Sequence, residues 1–303
     1  MNSKHIMSAI ACAAALCGSV RAETDGKDAD ARGLNWAMGE GVTFNETPIV
    51  SAEVSLAFDS KFMSYGLVDN NDPILTPGAS LTFFDWFTFS VESIFDTSRY
   101  GEKAGYGNRA WEYQELDPGF AIGHAFGPDV GLPTTVEFKL GYMYEAHPRV
   151  VDDDTQFITF SVGLPDLWFE PTFAYERDIK RDEGTYLNLE IGHTFSVVEG
   201  KEEGDDDILS FRVSLAQGWG DQRRVAAYLE DANGLSRRSL MDTCLKGELT
   251  WNITDGVSLG AYLAYYDYLL DSSARDGATA YEGTEAYSES YNFVTGISLA
   301  VAF

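Results

Sequence analysis

Twelve segments between residues 51 and 303 alternate large apolar residues with small or polar ones, and the mid-segment charges fall on one side of that alternation. Successive side chains of a β-strand point to opposite faces, so a period of two marks strands with one greasy and one polar face. The last segment shows the pattern most plainly. Tyr291, Phe293, Thr295, Ile297, Leu299, Val301 and Phe303 share one parity, and Asn292, Val294, Gly296, Ser298, Ala300 and Ala302 share the other. The same reading applies upstream. Leu56 and Phe58 oppose Ser55 and Asp59, Phe89 and Val91 oppose Ser90 and Glu92, and Phe138 and Leu140 oppose Glu137 and Lys139. Phe169, Pro171 and Phe173 oppose Trp168, Glu170 and Thr172, while Leu189 and Ile191 oppose Glu190 and Gly192.

Glu92, Glu137, Lys139, Glu170, Glu190, Arg212, Asp242, Lys246 and Glu248 all lie mid-strand on the non-greasy face, and no Lys, Arg, Asp or Glu lies mid-strand on the greasy one. A Lys or Arg on a lipid-facing position costs roughly 2 to 4 kcal/mol at the bilayer midplane. A soluble sandwich shows the same alternation with its apolar face inside, so the connections must separate the two. Short connections at 84–86, 165–167 and 254–256 alternate with long polar ones at 97–109, 218–238 and 267–288. Outer-membrane barrels have this asymmetry of short periplasmic turns and longer external loops. The connections at 196–206 and 178–183 blur it, the first long for a turn and the second short for a loop. Phe84, Trp86, Phe126, Trp168, Phe195, Trp251 and Phe303 gather near one set of ends, and Tyr65, Tyr144, Tyr175, Tyr265, Tyr268 and Tyr291 near the other. Two aromatic belts are expected of a membrane barrel. The fold class is therefore all-β: a transmembrane antiparallel up-and-down β-barrel of about twelve strands.

Residues 1–22 have the form of a secretory signal peptide. Lys4 begins it, a short apolar run follows from Ile6 to Leu16, and Val20, Arg21 and Ala22 precede a cut before Glu23. Residues 23–50 read as a periplasmic N-terminal segment and 51–303 as the barrel. Cleavage removes Lys4 and Arg21 and no acid, taking the formal charge from −27 to about −29. Cys12 and Cys17 leave as well, so Cys244 remains alone and no internal disulfide forms. So acidic a chain repels nucleic-acid phosphates. No later stretch reaches the 18 or so consecutive apolar residues of a membrane helix, so strands must do any spanning.

The final strand resembles the closing strand of bacterial outer-membrane β-barrels, whose terminal aromatic residue helps the assembly machinery recognise them; Leu299, Val301 and Phe303 fit that signal, and Ser298 stands where glycine is commonest. The stretch 51–96 resembles the opening of a family of uncharacterised, porin-like outer-membrane barrels of Gram-negative bacteria. Those begin with a strand, an Asn-Asp-x-Pro loop and a glycine-containing return strand, matched here by Asp59, Lys61, Phe62, Gly66, Asn71, Asp72, Pro73 and Gly78. Lys61 departs from the arginine or tyrosine usual nearby. The resemblance covers about the first third of the barrel and carries no catalytic residues to transfer. It implies an exported outer-membrane protein whose partners are the barrel-assembly machinery, outer-membrane lipid and lipopolysaccharide.

The residue types argue against an enzyme. His124, His147 and His193 are the histidines left after cleavage, and no nucleophile elbow, paired metal motif or Gly-rich phosphate loop is present. His124 and His193 read as packing residues on the greasy face. His147 with Asp152, Asp153 and Asp154 could hold a cation, but a solvated acidic loop is the simpler reading, and neither a metal nor another cofactor is expected. The expected pore-lining set is Glu92, Glu137, Lys139, Glu170, Glu190, Arg212, Asp242, Lys246, Glu248 and Tyr262. Its acid excess favours cations, and Tyr186, Tyr262, Tyr266 and Trp168 could stack on a sugar or nucleoside. The function expected is a narrow porin-like channel for small cationic or neutral solutes. The alternative is a structural or adhesin-like barrel whose charges pair inside a filled lumen.

Overall fold

The computed structural model describes residues 50–98, 110–148, 154–200, 207–229, 237–280 and 291–303. The expected signal peptide, nearly all of the N-terminal segment, Asp152 and Asp153, and most of the loop at 97–109 lie outside the described residues.

Among the described residues fourteen strands run in chain order: β1 (Val50–Asp59), β2 (Phe62–Ser64), β3 (Leu67–Asn70), β4 (Ile74–Phe83), β5 (Phe87–Asp96), β6 (Glu112–Phe126), β7 (Val136–Glu145), β8 (Thr155–Gly163), β9 (Thr172–Asp178), β10 (Thr185–Val198), β11 (Leu209–Gly220), β12 (Ser239–Thr254), β13 (Val257–Asp267) and β14 (Tyr291–Ala302). Among the described residues two α-helices interrupt them, α1 (Gln222–Leu229) and α2 (Ser272–Ala280). Twelve of the strands close an antiparallel barrel in which neighbours in sequence are neighbours in space. The seam lies between β1 and β14, where Leu56 faces Leu299 and the backbones of Ala52 and Phe303 exchange hydrogen bonds of 2.8 and 3.2 Å. Closure leaves no unpaired edge. β2 and β3 pair with each other and stand apart from the barrel wall.

The greasy parity faces outward. Leu189, Leu245, Leu263, Phe293 and Ile297 are each at least half exposed. So contiguous an apolar surface belongs in lipid, and this chain is a transmembrane β-barrel. Among the described residues no helix is long and apolar enough to cross a membrane. The turns β4–β5, β8–β9 and β12–β13 share one end with the chain's entry into β1, and the connection β10–β11, long as it is, lies there too. At that end Trp86 stacks on His124 at 4.4 Å and Trp168 on His193 at 4.8 Å, with Phe126, Phe138 and Phe195 packed around them. Both histidines are thus packing residues of an aromatic belt.

The sequence reading goes wrong before β9. It begins that strand near Trp168, whereas the ladder starts at Thr172. Leu167 N–H bonds to Leu164 O and Glu170 N–H to Leu167 O, making two successive tight turns between Pro165 and Pro171. Glu170 sits at φ 39, left-handed backbone that no strand uses. Glu170 is therefore a turn residue, and Trp168 is 64% exposed at the periplasmic rim instead of facing the lumen.

The apolar core lies inside the barrel, at the opposite mouth. The β2–β3 hairpin, α1 and α2 all come from connections at that mouth. They meet around Leu67, Val225, Leu229, Met241, Tyr268, Ala274 and Ala278, with Tyr65, Tyr186 and Tyr228 against them. Tyr65 and Tyr268, expected in the outer aromatic belt, are instead parts of this plug, because the loops that carry them fold inward.

Candidate functional site

The lumen has three regions, each set by which strands supply the inward parity. Along β10–β13 its charges are paired. Arg212 donates through Nη2 to Glu190 Oε1 at 3.1 Å and through Nη1 to Glu170. Glu170 reaches this pair from its turn, where it also accepts the Thr194 N–H at 2.8 Å. One rung away, Lys246 Nζ lies 2.6 Å from Glu248 Oε2 and 4.8 Å from the centre of the Tyr262 ring. Tyr262 donates its hydroxyl to Asp59 at 2.7 Å.

Along β5–β7 the inward residues are mostly acids. Glu92 faces Asp117 across the β5–β6 ladder. Glu115 and Asp117 are each more than nine-tenths buried, and Glu145 follows on β7. Glu137 and Lys139 stand lower on β7, opposite Gly163 and Ser161 of β8. A small cavity of about 40 Å³ lies here, lined by Glu92, Asp117 and Lys139 over Gly119 and Gly141.

The third region is the plug. Its hairpin turns at Tyr65 and Gly66, φ 50 and 80, the left-handed pair of a tight hairpin turn. A Cβ on Gly66 would collide with Cβ of Asp242 on the barrel wall, so hairpin and wall touch backbone to side chain. Tyr65 donates to Glu176 at 2.5 Å, Tyr268 donates to the Tyr65 carbonyl at 2.5 Å, and Tyr186 donates to Asp242 at 2.8 Å. Arg224 of α1 has no exposed surface. Its guanidinium lies 4.6 Å from the Tyr65 ring centre, 5.4 Å from that of Tyr228 and 5.7 Å from that of Phe157. Nη2 is 3.3 Å from Glu176 and Nε 3.2 Å from Asp182. Burial works against the charge, but Tyr65, Glu176, Tyr228 and Asp182 outweigh it and hold the guanidinium above its ordinary pKa.

Several solved outer-membrane channels are similar to this chain over most of its length. The KdgM porin aligns over 84% of this chain and 99% of its own, at 8% identity and a TM-score of 0.44. An outer-membrane channel from Pseudomonas putida F1 aligns over 87% of this chain and all of its own, at 9% identity and a TM-score of 0.46. The outer-membrane protein Omp33 from Acinetobacter baumannii aligns over 84% and 97%, at 9% identity and a TM-score of 0.35. No protein-family model and no curated protein sequence matches the chain.

The structure gathers the expected lining residues into groups. Glu170, Glu190 and Arg212 form one, and Lys246, Glu248 and Tyr262 another. Asp242 lies under the plug, Glu92 joins the acids of β5–β7, and Glu137 and Lys139 stand apart below them. Leu299 and Val301 point outward on β14 beside Phe303, which is 58% exposed. Sequence reasoning missed the plug, although α1 carries a signal: Val225 and Leu229 at i and i+4 in a loop otherwise polar. It also missed where His147 faces. Asp154 accepts the His147 backbone N–H at 2.8 Å and the Tyr144 hydroxyl at 2.6 Å, and the imidazole turns to Glu115 and Glu145.

Proposed function

We propose that this barrel is a plugged, porin-like channel for small cationic or neutral solutes, shut at its outer mouth in the resting state and conducting when the plug shifts. The observation that carries this reading is the imbalance of the lining. The bases of β11 and β12 are taken up by Glu170, Glu190 and Glu248, while the β5–β7 side presents Glu92, Glu115, Asp117 and Glu145 with Lys139 as the base on the same wall. A charged lining of one sign favours counter-ions. A barrel serving only as a scaffold has no need of that excess, since apolar filling would be more stable than bunched, buried carboxylates. The apolar core of the plug favours a second reading, a barrel closed for good whose external loops bind a partner.

The refolded chain from residue 23 in a planar bilayer, under a salt gradient, distinguishes the two. The channel reading expects a reversal potential on the cation-selective side, reduced in Glu137→Gln and Glu190→Gln. Anion selectivity, or selectivity unmoved by either substitution, contradicts it.

A further inference from the structure

The acid wall contains a site of defined geometry at its outer end. Leu116 and Ala146 exchange backbone hydrogen bonds of 3.0 Å, which sets Asp117 opposite Glu145 and Glu115 opposite His147. With Glu92 facing Asp117, three carboxylates occupy one rung of three adjacent strands. Directly opposed side chains stand about 4.5 to 5.5 Å apart at Cβ, and like charges there are destabilising. Lys139 lies below this rung, and Arg181 of the β9–β10 loop acts on Glu145 through space.

His147 Nε2 is 3.4 Å from Glu115 Oε2 and 3.5 Å from Glu145 Oε1. One atom from each of the three residues lies within 4.8 Å of the others. Ligand atoms at about 2.0 to 2.2 Å from a tetrahedral cation are about 3.3 to 3.6 Å from one another, and the two distances from His147 Nε2 fall in that range. Asp117 abuts the Glu115 carboxyl. Asp117 is 92% buried, its Oδ1 has no hydrogen-bond partner among the described residues, and with Glu92 it lines the cavity of about 40 Å³.

We propose that Glu115, Glu145 and His147, backed by Asp117 and Glu92, bind a divalent transition-metal cation such as Zn²⁺ at the outer end of the lumen. An imidazole with carboxylates suits zinc and its neighbours better than Ca²⁺ or Mg²⁺, which prefer all-oxygen shells. Asp154 holds the His147 backbone N–H, and the ring faces inward toward Glu115 and Glu145. The site stands whether or not the lumen conducts.

The test is calorimetric titration of the chelator-stripped, refolded chain with ZnCl₂, with bound metal counted after desalting. One Zn²⁺ per chain is expected, weakened at least about tenfold in Glu115→Gln and His147→Ala, unchanged in Glu53→Gln and not displaced by equimolar Ca²⁺. Heat-modifiable migration on a gel checks that each variant is folded; should Glu115→Gln not refold, His147→Gln at the rim makes the same comparison. No stoichiometric zinc, binding indifferent to both cluster variants, or binding lost equally in Glu53→Gln would overturn the site. The last two results would mark a diffuse counter-ion cloud.

Discussion

Arg224 shows how single residues hold the plug. Its guanidinium has left water completely and is met by Glu176, Asp182 and three aromatic rings. Removing one partner of such a group strands the other charges, at a cost of about 3 to 5 kcal/mol. Arg224→Ala should therefore loosen the plug while leaving the barrel closed, because the ladders β9–β10 and β10–β11 do not depend on that side chain. Protease cleavage in the β2–β3 hairpin should accelerate in this variant and slow again when Glu176→Gln accompanies Arg224→Met. Unchanged cleavage in Arg224→Ala would separate Arg224 from plug stability. The role of Arg224 was not legible in the sequence, where it is one of two adjacent arginines in a polar loop. A buried arginine is recognisable only once its partners, 48 residues upstream at Glu176 and more than 150 upstream at Tyr65, are brought to it.

At the scale of elements, each plug helix is started by an aspartate. Asp221 accepts the N–H groups of Arg223 and Arg224 at 3.0 Å, and Asp271 accepts those of Ser273 at 2.9 Å and Ala274 at 3.4 Å. Partial burial works to raise both carboxyls, but these hydrogen bonds prevail, joined by the Ser239 hydroxyl at Asp271 and by Thr185 and Arg177 at Asp221, and set each below the ordinary value of 3.8. A depressed carboxylate stabilises the fold at pH above its unfolded pKa, and that contribution is lost as pH falls through the folded one. Protection of the α1 and α2 amides, corrected for intrinsic exchange, should hold from pH 7 to about 5 and fall below about 4. Asp221→Asn and Asp271→Asn should flatten that fall. Protection that instead declines as pH rises from 5 to 7 would contradict the capping account. The wall strands, by contrast, were legible nearly residue by residue, because lipid outside and polar side chains inside force a strict period of two. The exception before β9 comes from two prolines, whose tight turns keep the alternation for a few residues without the strand. The helices were not legible because eight or nine residues in a loop give too short a period to stand out.

The described residues form a barrel with an apolar plug at its outer mouth and small residues and charges along the lumen face of β10–β13. The acid excess of the lining was legible as a count of inward residues. Its unequal distribution, paired along β10–β13 and bunched along β5–β7, was not, since pairing depends on register and reach across the lumen. If the plug is what keeps this channel shut, its removal should open it. The most direct measurement is single-channel conductance of the refolded chain beside a variant in which residues 62–70 are replaced by a short Gly-Ser turn. The account predicts a wild type that is closed most of the time with brief cation-preferring openings, and a variant that stays open with the same preference. A hairpin-less barrel that folds, shows heat-modifiable migration and still passes no current would contradict it, and would move the function to the external loops.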